Sequence, residues 1–240
     1  MDLKEEALLG DRVHEHWYYR AKLAALLKAT EDLPTGDALD IGAGAGFFSR
    51  ALLAAGRVNR AICVDPGYPA DLDETVAGRP LEFRRALDQD ASRVTIAMMM
   101  DVLEHVPDDV GLAAEYVEKL PSGARVIATV PAFKWLWSGH DVFLEHYRRY
   151  DLPQLETTLT RAGLKIEFGS YFYGAVFPAA VAFRMAKRVM GDRGMEPKSD
   201  MRQFGPVMNG LFWGACRAEL PFLKHNRIAG LSVFARAVKP

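Results

Sequence analysis

Three glycines and two aspartates form the pattern in this sequence that points most directly to chemistry. Gly42, Gly44 and Gly46 are separated by single alanines, and Asp40 stands two residues before the first of them. Asp65 ends the next apolar run of the chain. A backbone without side chains lets a ligand approach closely, and a carboxylate at the end of a strand can accept hydrogen bonds from ribose hydroxyls. The pattern therefore indicates a site for a ligand that contains a nucleoside.

Three ligands of that kind are candidates, and two of them fit poorly. A phosphate-binding loop ends in Gly-Lys-Ser/Thr, but no lysine follows these glycines. A nicotinamide dinucleotide requires glycine at position 47, where Phe47 stands, and its pyrophosphate would be repelled by Asp40. S-adenosylmethionine carries an ammonium group and a positive sulfur and has no phosphate, so it fits best. A nucleotide-dependent oxidoreductase is the disfavoured alternative.

The composition is that of one globular domain, residues 1–240. Half of the residues are hydrophobic and the formal net charge is −1, which gives no electrostatic case for a nucleic-acid partner. Cys63 and Cys216 lie far apart and match no metal spacing, so we expect no disulfide and a cytoplasmic location. The N-terminus lacks the charge order of a signal peptide. The longest apolar run, residues 171–183, is too short to span a membrane and is broken by Pro178.

Hydrophobic periodicity predicts strands that alternate with helices, which indicates an α/β fold with a sheet covered on both faces. The predicted strands are residues 37–41, 60–65, 81–86, 94–100, 124–130, 164–172 and 231–238. The predicted helices are residues 4–29, 47–56, 108–120 and 151–163. The first of these helices belongs to an N-terminal helical segment, residues 1–35, which we expect to form a lid.

The last two predicted strands are separated by roughly 55 residues, which is far longer than an ordinary connection. Two stretches in this segment have apolar residues at helical spacing, so residues 174–228 are predicted to form a helical insertion that covers the acceptor side of the sheet. Its polar middle, residues 191–200, is expected to be mobile without ligand. Surplus apolar residues leave open a homodimer through this insertion or peripheral contact with a membrane surface.

The motifs resemble those of class I S-adenosylmethionine-dependent methyltransferases. The resemblance rests on LDIGAGAGFF, CVDPG and MMMDVLEHVPDD, and it is greatest to the small-molecule group that includes the ubiquinone-biosynthesis methyltransferases. HWYYRAK and HDVFLEHYRRYD resemble a subgroup, and the resemblance covers residues 14–173. It implies a Rossmann-like, seven-stranded, mostly parallel sheet with an antiparallel last strand. It also implies methyl transfer from S-adenosylmethionine to a small-molecule acceptor by in-line displacement, with S-adenosylhomocysteine as the product.

The resemblance assigns individual residues to the cofactor. Gly42, Ala43 and Gly44 would admit its methionine moiety, Asp40 would hold its amino group, and Asp65 would bind its ribose. The register after the third strand leaves open which of two aspartates, at positions 88 and 90, lies near adenine. The remaining expected contacts come from strand ends and from the first helix: Arg20, Pro66, Ala86, Leu87, Asp88, Met99, Met100 and Asp101.

Two histidines after the fifth strand, His140 and His146, are the candidates for a general base. A histidine titrates nearest neutral pH, and an oxygen or nitrogen acceptor must lose a proton around methyl transfer. Both could instead only hold the loop in place. A metal site from these histidines with Asp141 and Glu145 matches no standard spacing, so we expect a metal-independent enzyme. A module that binds the cofactor without chemistry is the alternative.

Overall fold

The computed structural model describes residues 10–189 and 204–240, and its centre is an eight-stranded sheet. In chain order the strands are β1 (Asp37–Ile41), β2 (Arg60–Val64), β3 (Leu72–Val76), β4 (Arg79–Arg84), β5 (Val94–Met100), β6 (Arg125–Pro131), β7 (Lys165–Phe172) and β8 (Ser232–Val238). Across the sheet they run β3-β4-β2-β1-β5-β6-β8-β7. The strand order reverses at β1, and in open parallel sheets ligands bind at the carboxyl end of such a switch point.

Six of the eight strands run in the same direction. β1 pairs in parallel with β2 and β5, and the parallel pairing continues to β4 on one side and β6 on the other. β8 is antiparallel to both β6 and β7, and β3 is antiparallel to β4. The predicted Rossmann-like fold with an antiparallel last strand is confirmed, but the predicted count of seven strands is wrong by one.

The additional strand is β3, which forms a hairpin with β4 at the edge of the sheet. Val76 pairs with Arg79, so the turn consists of Ala77 and Gly78, both with positive φ. β3 has the sequence LDETV, in which two of the five residues are acidic and the side chains are largely exposed. Acidic residues are depleted in strands, and an edge strand lacks the continuous apolar run of a buried one. This is why the apolar pattern did not predict it.

Seven α-helices of the described residues pack around this sheet. They are α1 (Trp17–Thr30), α2 (Phe47–Ala54), α3 (Asp109–Lys119), α4 (Gly139–Phe143), α5 (Leu152–Arg161), α6 (Phe177–Val189) and α7 (Pro206–Glu219). Successive residues of a strand point to opposite faces, and accordingly Leu39 joins a core with α3 and α5, whereas Ala38 joins a core with α1 and α2. α5 begins as predicted, at a capping box between Asp151 and Gln154.

The N-terminal helix is shorter within the described residues than the sequence predicts. α1 begins at Trp17, where the His16 side chain caps it by accepting a hydrogen bond from the Tyr18 amide. A 3-10 turn, Gly10–His14, precedes it. The predicted helix over residues 4–29 is therefore interrupted before α1, and its first residues, 4–9, lie outside the described residues.

The segment between β7 and β8 contains two helices, α6 and α7, as its apolar spacing predicts. The polar stretch 191–200, which the sequence predicts to be mobile, lies outside the described residues. Among the described residues, no helix is both long and apolar enough to cross a membrane. α7 packs against α1, so the first helix and the insertion meet on one face of the sheet.

Candidate functional site

The loop between β1 and α2 explains the three glycines. Gly42, Gly44 and Gly46 have φ angles of +64°, +53° and +72°, which L side chains rarely adopt. A Cβ on Gly42 would also lie 2.8 Å from Cγ2 of Val102, so a side chain has no room there. Gly46 is the N-cap of α2. The loop therefore turns sharply at the carboxyl end of β1 and presents bare backbone, which is the cradle that the sequence predicts.

Asp40 lies beneath this loop and is 2% exposed. Its Oδ2 accepts a hydrogen bond of 2.8 Å from the Ser49 hydroxyl on α2. Burial raises the pKa of Asp40 to about 6, and the hydrogen bond from Ser49 opposes that rise only in part. A carboxylate in such a position gains from a nearby positive group, because that group would favour its ionised form.

Asp65 follows β2 and lies across the loop from β1. Its two oxygens accept hydrogen bonds from the backbone amides of Gly44, at 3.2 Å, and of Gly67, at 2.9 Å. The carboxylate thus connects the glycine loop to the next strand end, and Pro66 beside it is exposed. Sequence reasoning missed Tyr68, whose hydroxyl donates to the Gly44 carbonyl oxygen at 2.5 Å. An aromatic residue three positions after the acidic strand end was the available signal.

The residues after β4 include the two aspartates between which the sequence left the register open. Leu87 is 8% exposed and packs into the core. Asp88 is exposed, whereas the Asp90 carboxylate accepts hydrogen bonds from both the amide and the hydroxyl of Ser92, at 2.9 and 2.7 Å. Asp90 is therefore used locally, and Asp88 is the carboxylate available at this edge. Ala86, between β4 and Leu87, is exposed as well.

β5 ends at the buried Met99 and Met100, and Asp101 follows with a φ of +57°. The Asp101 carboxylate forms an ion pair with Lys22 of α1 and accepts a hydrogen bond of 3.0 Å from the Thr129 hydroxyl on β6. Burial alone would raise the pKa of Asp101, but the charge and the hydrogen bond of Lys22 hold it below its usual range. Lys22 is one of two lysines in α1, and nothing in their spacing gave a sequence signal for this pair.

The start of the N-terminal helix contributes to a cavity. His16 and Trp17 line it, and the Trp17 amide donates to Asn209 Oδ1 of α7 at 2.8 Å. Arg20 does not line it, because its guanidinium lies 4.7 Å from the centre of the Trp213 ring. Arg20 therefore joins α1 to α7 rather than facing this cavity.

The cavity has a volume of about 380 Å³ and lies beside Asp101, at the carboxyl edge of the sheet. One wall is polar and comes from the segments after β5 and β6. The other wall comes from α1, α6 and α7 and is mostly apolar, with Arg184 as its charged residue. The lining residues used below are Asp101, Glu104, His105, His140, His146, Arg149, Ala179, Phe183 and Phe204. A pocket of this size with a few polar groups on one side suits a small organic molecule.

His146 lines the polar wall and is held by an aspartate. Its Nδ1 lies 2.9 Å from Oδ1 of Asp141, which is fully buried and also accepts a hydrogen bond of 2.6 Å from Arg149. Burial would raise the pKa of Asp141, but these two partners hold it well below its usual range. A carboxylate can only accept, so the proton of neutral His146 is assigned to Nδ1, and Nε2 remains an acceptor.

Glu104 and His105 complete the polar wall, and sequence reasoning assigned no role to Glu104. Glu104 is fully buried, and neither of its carboxylate oxygens accepts a hydrogen bond from any described residue. Burial and the neighbouring Asp101 raise its pKa well above the usual value. Ligand atoms of Glu104, His105 and His146 lie within 4.8 Å of one another, so these three residues could hold a divalent cation.

The metal set considered from the sequence is not the one that the fold brings together. The Asp141 carboxylate is hydrogen-bonded to His146 and Arg149, and Glu145 is exposed. The ring centres of His140 and His146 are 6.5 Å apart, and His105 is closer to His146, at 4.7 Å. Both candidate bases therefore line the cavity, but only His146 has the carboxylate partner described above.

Comparison with known proteins places this arrangement among methyltransferases. A family model described as a methyltransferase domain matches residues 14–167. An uncharacterized methyltransferase of Mycobacterium ulcerans is 31% identical over 113 residues, which are 45% of this chain and 44% of the relative. A Mycobacterium tuberculosis protein of the same description is 30% identical over the same share. The chain thus covers less than half the length of the curated relatives it matches.

Two solved structures extend the likeness to nearly the whole chain. The complex of the Haloferax volcanii Trm112 methyltransferase activator with a methyltransferase aligns with a TM-score of 0.56 at 17% identity, over 99% of this chain and 94% of that one. Haemonchus contortus phosphoethanolamine N-methyltransferase 2, with phosphomonomethylethanolamine and S-adenosylhomocysteine, aligns with a TM-score of 0.56 at 16% identity, over 98% and 56%. At these identities the likeness concerns the fold.

Proposed function

Because the chain belongs to the methyltransferase-domain family, we propose that it transfers a methyl group from S-adenosylmethionine to a small molecule bound in the cavity. The observation that carries this proposal is the glycine loop. All three of its glycines have positive φ, and it lies between the buried Asp40 and the Asp65 carboxylate at the switch point of the sheet.

The residues around the loop fit this cofactor. When bound, S-adenosylmethionine supplies a methyl group on a positively charged sulfur. Gly42, Ala43 and Gly44 would face its methionine moiety, Asp40 would hold the ammonium group, and Asp65 would bind the ribose. Pro66, Leu87 and Asp88 would lie along its nucleoside, and Met100 and Asp101 would close the end nearest the cavity. Burial raises the pKa of Asp40 to about 6, so an ammonium group beside it would favour its ionised form.

The proton of an oxygen or nitrogen acceptor is proposed to move to Nε2 of His146. Asp141 would hold the ring through Nδ1 and stabilise the imidazolium that forms, since its carboxylate remains ionised. The acceptor's heavy atom, freed of that proton, would form the new bond to the methyl carbon. His140 lines the same wall and is the second candidate base.

This assignment competes with a metal role for the same imidazole. A cation bound by Glu104, His105 and His146 would occupy the position that a base requires. We propose the metal-independent route, because the Asp141 hydrogen bond alone accounts for the orientation of His146. Removal of metal from the parent with a chelator separates the two routes.

Binding of the cofactor and transfer of the methyl group are tested separately. Calorimetry should show that the protein binds S-adenosylhomocysteine and does not bind NAD. Asp65→Ala should weaken the binding of S-adenosylhomocysteine by about 1–3 kcal/mol, because the ribose hydroxyls lose a charged acceptor. Asp88→Ala removes an exposed carboxylate at the same edge of the sheet. Its effect on affinity compares the adenine end of the cofactor with the ribose end that Asp65→Ala tests. Binding of NAD alone would support the oxidoreductase alternative and overturn the proposal.

Turnover requires a panel of acceptors with labelled S-adenosylmethionine. Flat molecules with a hydroxyl or amine are the first choice, because the cavity has one polar and one apolar wall. Methyl transfer to any of them at catalytic turnover numbers supports an enzyme. Tight cofactor binding with no transfer to any acceptor class would favour a non-catalytic binding module.

A further inference from the structure

The outer face of α6 is apolar along its whole length. Pro178, Ala182, Met185 and Val189 follow one another at intervals of four, three and four residues, so they share one side of the helix. All four are exposed, with Val189 at 85% and Met185 at 48%. A surface helix normally places polar residues on the side that faces water. Among the side chains that the structure describes, this side of α6 carries none.

The outer face of α7 has the same character. Val207, Leu211, Gly214 and Ala218 repeat the same spacing and are all exposed, with Val207 at 82% and Leu211 at 62%. Phe222, just beyond the helix, is 65% exposed. Two neighbouring helices of one insertion thus present uncharged stripes outward. We call these two stripes together the outer apolar face.

The charge of the segment that carries this face is opposite to that of the rest of the chain. Residues 174–231 contain nine lysines and arginines against four acidic residues, a formal charge of +5, whereas the remainder of the chain carries −6. A second copy docked through the same face would bring two segments of +5 together, because a two-fold interface is self-complementary. Such a dimer is disfavoured electrostatically. The segment that carries the face thus combines exposed apolar side chains with a net positive charge, and this combination fits an anionic lipid bilayer.

The cavity borders this same face. Ala179 and Phe183 of α6 line the cavity and are exposed, and Phe204, just before α7, does both as well. A molecule lying in the headgroup region next to α6 would therefore meet the apolar wall of the cavity first. Its reactive polar group would point toward the opposite wall, which holds His146.

We propose that the outer apolar face docks on anionic membrane surfaces, and that the acceptor is an amphiphilic molecule that enters the cavity from the bilayer. The second half rests on the proposed function, whereas the first half does not. The protein would lie on the membrane without crossing it, since no described helix could span it.

Flotation with lipid vesicles tests the docking surface. The full chain is mixed with vesicles of phosphatidylcholine alone or of an equimolar mixture with phosphatidylglycerol. We expect binding to the anionic vesicles and weak binding to the zwitterionic ones. Val207→Glu/Leu211→Glu should reduce partitioning to anionic vesicles at least about tenfold, because two charges would enter the interface. Leu72→Glu, at an exposed leucine on the far edge of the sheet, is the matched control and should bind like the parent.

Three results decide the matter. If the parent does not bind anionic vesicles, the proposal is overturned. If light scattering shows that the parent is a dimer and the Val207→Glu/Leu211→Glu variant is a monomer, the face is assigned to a second copy instead. Equal binding by parent and double variant also overturns it. Affinity for S-adenosylhomocysteine, measured on the same samples, shows that the variants are folded. If the parent itself does not bind S-adenosylhomocysteine, the proposed function is contradicted, whereas the result on vesicle binding still stands.

Discussion

The imidazole of His146 offers the sharpest test at the scale of single residues. His146→Ala should lower turnover roughly 10²–10⁴-fold, the usual contribution of a general base, with S-adenosylhomocysteine affinity unchanged. His140→Ala is the matched neighbour on the same wall, and a smaller loss of turnover there than in His146→Ala would assign the base to His146. Single-turnover rates and calorimetry on the same preparations separate chemistry from binding. Normal turnover in both variants would mean that the acceptor needs no base.

Removal of metal distinguishes a base from a ligand at this position. We expect turnover of the parent to survive dialysis against a chelator, and Glu104→Gln to leave metal content unchanged. Loss of turnover on chelation, restored by one divalent cation in the parent but not in Glu104→Gln, would instead make His146 a ligand together with Glu104 and His105.

We expect Asp40 to lower the stability of the free protein and to strengthen cofactor binding. Asp40→Asn keeps an oxygen for the Ser49 hydroxyl but removes a buried charge, so the free protein should gain about 1–3 kcal/mol of unfolding free energy at pH 7. The same change should weaken S-adenosylhomocysteine binding, because the ammonium group loses its charged partner. Urea unfolding and calorimetry measure the two effects. Ser49→Ala is the control, since it removes the hydrogen bond and keeps the charge.

The pH dependence of this gain follows from the direction of the shift. The folded-state pKa of Asp40, about 6, lies above the unfolded value of 3.8, so ionisation costs stability at neutral pH. This cost is present above pH 6, declines as the pH falls from about 6 to 3.8, and is lost below the unfolded pKa of 3.8, where the carboxyl is protonated in both states. The stability difference between parent and Asp40→Asn should therefore vanish across that window. A difference that stays constant would mean that charge is not its cause.

Residues that depend on backbone geometry were predictable, whereas those that depend on tertiary contacts were not. Positive φ demands glycine, so the loop was visible in the sequence at Gly42, Gly44 and Gly46. Lys22 and Glu104 become significant only because distant elements surround them, and their types and spacing carry no sign of that.

At the scale of elements, the pair of Lys22 and Asp101 joins α1 to the end of β5. Lys22→Met should lower the free energy of unfolding by about 3 kcal/mol. This is the lower end of the range for a buried ion pair that loses one partner, because the Asp101 side chain is 24% exposed. Lys22→Met/Asp101→Asn should recover part of this loss, since no charge is left unpaired. Denaturant unfolding of both single variants and the double variant completes the cycle. Additive losses would show that the two residues do not act as a pair.

The β3–β4 hairpin can be improved at its turn. Ala77 has a φ of +49°, and the two-residue turn that it forms with Gly78 favours asparagine at the first position. Ala77→Asn should therefore stabilise the protein by about 0.5–1 kcal/mol. Ala70→Asn, at an exposed alanine without positive φ, should have no effect. An equal response at both positions in thermal unfolding would contradict this account of the turn.

At the scale of the whole molecule, the sheet and the insertion should differ in local stability. β1, β5 and β6 are buried in the centre of the sheet, whereas α6 and α7 expose the outer apolar face. Amide hydrogen exchange should be slowest in those strands and faster in the two helices, with S-adenosylhomocysteine slowing exchange in the glycine loop. Uniform protection of α6, α7 and the strands, with and without ligand, would contradict an insertion that opens for the acceptor.

The overall architecture was predictable because buried parallel strands are continuous apolar runs. The apolar runs predicted seven strands, and the family resemblance implied that the final one is antiparallel. The pattern missed β3, whose residues Asp73 and Glu74 are typical of exposed segments. The meeting of α1 with α7 could not be predicted, since it joins residues nearly two hundred positions apart, such as Trp17 and Asn209.

The place of β8 in the sheet has a consequence for the order in which the chain acquires structure. β8 lies between β6 and β7, and among the described residues β7 pairs with no other strand. During synthesis, β1 to β6 can associate as soon as they emerge, but β7 has no strand to join until residues 232–238 follow the whole insertion. Until then β6 presents an unpaired edge, and the positively charged helices emerge before the sheet is complete. A ribosome-bound intermediate of this protein would thus expose an unpaired strand edge late in translation. Because such an edge can pair with another chain, this is the stage at which a chaperone would be needed most.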